Sequence, residues 1–151
     1  MHRRSIISVD VEDYFHVEAF SSVIDRTAWG SYECRVERNT ERILDMLDDC
    51  HVTATFFILG WVAERYPSLV RKIVERGHEP ACHSYWHRLV YRLTPAEFRD
   101  DTLLAKNAIE QAVGIEIYGY APRVSQSQAA PLGRSTCSRN WDSGMTPACF
   151  R

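Results

Sequence analysis

The segment HSYWH carries His83 and His87 four residues apart, a separation at which two imidazoles reach one metal ion when the chain between them is coiled or helical. A second polar group, Asp10, Glu12 and Asp13, leaves the end of a short β-branched apolar run. Carboxylates gathered in apolar surroundings need a cation or shifted pKa values to be tolerated. Two imidazoles and one carboxylate are the donor set of a hydrolytic zinc site, which keeps a coordination position for water, and a carboxylate outside that set can act as the base. Asp10, Glu12 and Asp13 are enough for both roles, and their spacing alone does not divide the roles among them. The plainer alternatives are a chance pair among six histidines and a solvated turn.

Those residues have to be delivered by the elements before them. Ser5 to Val11 reads as a buried strand that ends in carboxylates. Asn39 or Thr40 caps a helix to about Cys50, with Ile43, Leu44 and Leu47 on one face. Thr53 to Leu59 reads as a second buried strand, and Ser68 as the cap of a helix whose stripe of Leu69, Ile73 and Val74 stops at Gly77. A short strand, Glu79 to Cys82, leads into HSYWH. Thr94, Pro95 and Glu97 form a capping box that starts a long helix to about Val113, and Ile115 to Tyr120 reads as a fourth strand. Strands alternating with helices at this spacing predict parallel βαβ units, in which ligands gather at the C-terminal ends of the strands.

Composition narrows the class. With 151 residues, 45% hydrophobic and 25% charged, the chain suits one domain or part of one. A net charge of -2, with both signs mixed along the chain, gives no basic stripe, so nucleic acid is not an expected partner. The longest apolar runs, such as ATFFILGWVA, fall short of the ~20 residues that a bilayer needs, so no membrane span is expected. Met1-His2-Arg3-Arg4 is followed too soon by Asp10 for a signal peptide, and a cytoplasmic location is the expectation. Five Cys without a CxxC pair point to free, buried thiols. His16, His51 and His78 read as surface or satisfied core residues, and Phe56, Phe57 and Trp61 as core.

SVDVEDYFHV, TATFFILGWVAERYP and GHEPACHSYWHRLVYRLTPAEF, in that order, resemble a NodB-homology polysaccharide deacetylase, and within it the subgroup associated with exopolysaccharide and exosortase loci. The resemblance spans about residues 5 to 120. It implies an α/β fold, an incomplete NodB-type distorted (β/α) barrel holding the first four βα units. The activity it implies is metal-dependent removal of N-acetyl groups from an amino-sugar polysaccharide or oligosaccharide. By the same resemblance Asp10 matches the catalytic base, and His83 and His87 match the imidazole ligands of a divalent metal, zinc by type. Either Glu12 or Asp13 matches the carboxylate ligand, with Glu12 favoured by branches that read Asp-x-Asp. Ser84 matches the residue that braces the His-containing loop and fixes ring orientation.

The resemblance breaks after Tyr120, where the family reads GYRAPSFSI or similar and this chain reads GYAPRVSQS. One nucleotide lost at Tyr120/Ala121 would restore Arg-Ala-Pro-Ser-Phe-Ser-Ile within the limits of codon degeneracy. On that reading residues 1–120 are the N-terminal part of the deacetylase domain and residues 121–151 an out-of-frame, disordered tail. The competing expectation for the chain as written is a truncated, inactive fragment that at most binds a divalent metal. A metal-independent amidohydrolase on the same fold is disfavoured by the retained His pair.

Overall fold

The alternation of apolar runs with amphipathic stretches resolves into a parallel sheet with helices between its strands. In the computed structural model, which describes residues 6–123, strands β1 (Ser8–Val11), β2 (Thr55–Ile58) and β3 (Glu79–Cys82) lie in the order β1-β2-β3. Both pairings are parallel, with Asp10 opposite Phe57 and Ile58 opposite Cys82. A sheet that adds each new strand on the same side follows the progression of a (β/α) barrel, whereas a doubly wound sheet reverses direction. Parallel strands also end on one edge, so Glu12 and His83, each next after a strand, emerge together.

Three 3-10 turns, Tyr14–His16, Glu18–Phe20 and Arg26–Ser31, lead from β1 to helix α1 (Val36–Asp49). Helices α2 (Gly60–Arg65) and α3 (Pro67–Glu75) connect β2 to β3, and α4 (Pro95–Val113) follows β3. Leu44 of α1, Phe56 and Ile58 of β2, Leu69 and Ile73 of α3, and Ile109 of α4 are fully buried. Each such side chain contributes roughly 1.5–3 kcal/mol through the apolar surface it removes from water. Thr94 and Glu97 form the expected reciprocal capping box at the start of α4, and Gly114, at φ 73, ends it in the left-handed conformation. No helix among the described residues is long and apolar enough to cross a membrane.

Several boundaries differ from the sequence reading. The first strand is not buried along its length: Ile6 and Ile7 are exposed and only Val11 of β1 is buried, because β1 pairs with β2 on one side alone among the described residues. The fourth strand is reduced to a single parallel bridge between Cys82 and Tyr120. There the Ile117 N–H is taken by the Glu110 carboxylate, at 2.8 Å, instead of by a ladder. Helix α1 begins at Val36, ahead of Asn39, because the Asp13 carboxylate caps it from a distance. Helix α3 starts at Pro67, whose ring pre-sets the first helical φ, without a side-chain cap from Ser68. Of the thiols, Cys82 is buried, Cys34 is half-buried and Cys50 is exposed, all free. Most of the expected tail, residues 124–151, with Cys137 and Cys149, lies outside the described residues.

Candidate metal centre

Glu12 follows β1 and His83 follows β3, and the loop from His83 turns back so that His87 joins them. One ligand atom from each of Glu12, His83 and His87 lies within 4.8 Å of the others. Both imidazoles are buried, at 6% and 3% exposure, and Glu12 is half-buried. The loop keeps a tight form through two left-handed non-glycine residues, Ser84 at φ 64 and His87 at φ 53. Such backbone costs energy and persists where its surroundings over-determine it. Here Ser84 Oγ accepts the His87 N–H at 3.1 Å, and Asp101 of α4 accepts the N–H groups of Tyr85 and Trp86 at 2.8 and 3.2 Å.

The ring orientations follow from carbonyl partners. A carbonyl only accepts, so His83 Nδ1, 3.0 Å from the Ala121 oxygen, is a protonated nitrogen, and His87 Nδ1, 2.8 Å from the His16 oxygen, is one when it donates there, although the donor Arg123 Nη1 also stands 2.6 Å from it. In neutral rings protonated at Nδ1 each Nε2 carries a lone pair. His87 Nε2 faces Glu12 Oε2 at 2.9 Å, yet Oε2 is buried without a hydrogen-bond partner. Lone pairs that converge in this way are satisfied by a shared cation, by a second proton on the ring or by an outside donor, and the donor Arg123 Nη1 stands 2.8 Å from His87 Nε2. A carboxylate and two imidazole nitrogens are a donor set that fits zinc.

The electrostatics agree with a cation site. Burial pushes the Glu12 carboxyl up, but the hydrogen bond with His87, the charges that His87 and His83 carry when protonated, and the charge of Arg123 outweigh it and hold the group below its usual range. Burial lowers the His83 pKa against the opposing pull of Asp10, which favours the neutral, ligating ring. Asp10 itself is exposed on β1 and close enough for its charge to act on His83.

Asp13 goes elsewhere. Its Oδ1 accepts from Tyr14 N at 2.9 Å, and its Oδ2 accepts from Val36 N at 2.9 Å and from Arg35 N. Of the two carboxylates left open by the sequence, the structure brings Glu12 to the imidazoles and ties Asp13 to backbone. His16, read as a surface or satisfied core residue, is 3% exposed and supplies the carbonyl that holds His87. His78 is buried with its Nδ1 accepting from Ala54 N at 3.3 Å, and His51 is exposed. Phe56, Phe57 and Trp61 are buried in the core, as expected.

Three contributors escaped the sequence reading. Asp101 had a signal, since it shares a helical face with the buried Ala105, Ile109 and Ala112. The Ala121 carbonyl had none. Arg123 did not match the family's Arg by register, yet its Nη1 lies 2.8 Å from His87 Nε2 and 2.6 Å from Nδ1.

A family model described as polysaccharide deacetylase matches residues 23–134, which include His83 and His87 and continue past Tyr120. The chitooligosaccharide deacetylase of Bradyrhizobium sp. (strain ANU 289) is 41% identical over 73 residues, 48% of this chain and 33% of that protein. A peptidoglycan-N-acetylglucosamine deacetylase of Bacillus cereus is 33% identical over 84 residues, 56% of this chain and 29% of that protein. The chain thus spans about a third of the length of these curated relatives. Among solved structures, a deacetylase with substrate superposes with TM-score 0.58 at 26% identity, covering 78% of this chain and 47% of that one. A family pseudoenzyme from Bacillus anthracis superposes with TM-score 0.59, also at 26% identity, covering 78% of this chain and 34% of that one.

Proposed function

Because this chain belongs to the polysaccharide deacetylase family, we propose that Glu12, His83 and His87 hold a divalent metal, zinc by donor type, in an enzyme that removes N-acetyl groups from an amino-sugar polysaccharide. The observation that carries this reading is the convergence of one ligand atom each from Glu12, His83 and His87 within 4.8 Å of one another, with Glu12 Oε2 buried and 2.9 Å from His87 Nε2. A bound zinc ion would polarise the acetamide carbonyl and lower the pKa of water. The side chains supply the rest. Glu12, His83 and His87 fix the ion, the carbonyls of His16 and Ala121 hold the two rings in the ligating tautomer, and Ser84 and Asp101 hold the loop. Asp10, exposed beside the cluster, accepts the proton of the attacking water.

The substrate proposed is an exopolysaccharide, which follows from the resemblance of the three motifs to the exopolysaccharide- and exosortase-associated subgroup. The break after Tyr120 is attributed to one lost nucleotide. The bonds from Ala121 to His83 and Cys82 use the main-chain atoms of Ala121 and not its side chain. Resequencing across the codons for Tyr118 to Arg123 decides the point: a recovered nucleotide with an open frame beyond supports it, and the sequence as written refutes it.

The functional test is acetate release from an N-acetylated chitooligosaccharide by the full chain with zinc, with a chelator, and in an Asp10→Asn variant. Zinc-dependent release, lost with chelator and reduced ~100-fold or more in the variant, supports the reading. Bound zinc without release identifies the chain instead as a fragment that binds metal and does not catalyse.

A further inference from the structure

Asp13 is 6% exposed and neither of its carboxylate oxygens is free for the His cluster. Oδ1 closes the turn Tyr14–His16 through Tyr14 N, and Oδ2 takes the first N–H groups at the start of α1, from Arg35 and Val36. Its own N–H donates to His16 Nδ1 at 2.8 Å, and the carbonyl of His16 accepts from His87 Nδ1 at 2.8 Å. The His16 ring is clamped by Phe15, Trp29 and Trp61, with centroids at 4.3, 4.5 and 4.9 Å. A continuous chain of bonds therefore runs from the start of α1, through Asp13 and His16, to His87. Glu12 is the residue immediately before Asp13.

We propose that Asp13 is a positioning residue that sets the geometry of the Glu12–His87 pair for its metal, and is not itself a ligand. The proposal rests on the metal reading above. Glu12 and His87 come from loops that follow different strands, and the carboxylate of Asp13 anchors the first of these loops to α1. Losing the anchor frees the turn Tyr14–His16, which moves the His16 carbonyl and with it the His87 ring, and loosens Glu12 at the same time. Partners that orient ligands in this way typically change metal affinity ~10- to 100-fold when removed.

The test is cobalt(II) binding by the full chain, read as affinity and as the visible ligand-field spectrum at saturation. Asp13→Asn turns one acceptor oxygen into an NH2 group that faces a backbone donor. It should weaken cobalt ~10-fold or more and shift the ligand-field bands. Leu47→Ala, a core truncation in α1, should lower the melting temperature while leaving affinity and spectrum as they are. If the Asn variant does not fold, Asp13→Ser keeps a local capping oxygen for Tyr14–His16 and is expected to show the same two changes. Wild-type affinity and spectrum in a folded Asp13 variant would overturn the proposal. So would loss of cobalt in Asp13→Asn with retention in Glu12→Gln, which makes Asp13 the ligand. A wild-type chain that takes up no cobalt refutes the metal reading, and the inference with it, before any variant is compared.

Discussion

The Nδ1 of His87 lies 2.8 Å from the carbonyl oxygen of His16, which joins the loop after β3 to the loop after β1. This bond leaves His87 Nε2 directed to Glu12, and it makes a buried histidine without a direct place in the cluster part of its support. His16 Nδ1 accepts the Asp13 N–H, so its proton sits on Nε2, which is buried without a partner.

That burial makes the fold sensitive to acid. Burial outweighs the charges of Glu12 and Asp13 and lowers the His16 pKa to about 4, from an ordinary value of 6.5. Between these values the unfolded chain binds a proton that the folded chain refuses, so stability is full above pH 6.5 and falls as pH drops towards 4, by roughly 3 kcal/mol in all. His83, also lowered by burial, adds a loss of the same sign. Glu12, held low, contributes stability above its ordinary value that is lost at still lower pH. Melting temperatures of the metal-free chain at pH 7.5, 6 and 5 should decline in that order, and equal values would show that neither imidazole is buried as described.

Arg123 places a permanent cation against the metal ligands. Its Nη1 lies 2.8 Å from His87 Nε2, in contact with the nitrogen that a metal needs, while its Nε is buried without a partner. Replacing Arg123 with Ala removes that competitor and should tighten zinc binding ~10-fold, the order expected for about 1.4 kcal/mol of relieved charge repulsion. Titration calorimetry reads the change. Unchanged or weaker zinc binding in the variant would mean that the guanidinium does not compete.

Gly60 opens α2 where it meets α4. A Cβ there would stand 2.4 Å from Tyr85 Cδ2 and 2.6 Å from Ala105 Cα, and the second of these is backbone. Gly60→Ala should cost about 1–3 kcal/mol of stability through overpacking. Because Tyr85 belongs to the loop between His83 and His87, the same change should weaken zinc. A variant that melts lower with unchanged zinc affinity would show that the loop is insulated from this helix contact.

Much of this arrangement was legible locally. The Thr94–Glu97 box, the stripe of Leu69 and Ile73, and the polar groups after two apolar runs are written in neighbouring residues, and the parallel order follows from their alternation. What sequence could not show is carried by bonds between distant residues. Asp13 reads as a candidate ligand until Val36, 23 positions away, is seen donating to it, and the same bond moves the start of α1 ahead of the apparent cap. The carbonyls of His16 and Ala121 are main-chain atoms without a side-chain signature. Ile115 to Tyr120 has strand composition, yet it joins the sheet by one bridge only, because its Ile117 N–H is captured by Glu110.

Calorimetric titration of the full chain with zinc, set beside Glu12→Gln, His83→Ala and His87→Ala, tests the central claim most directly. One equivalent of zinc bound by the wild type, with affinity lost ~100-fold or more in each variant, is the predicted result. Zinc bound equally well by all four chains, or by none, would contradict the assignment of Glu12, His83 and His87 as one metal site.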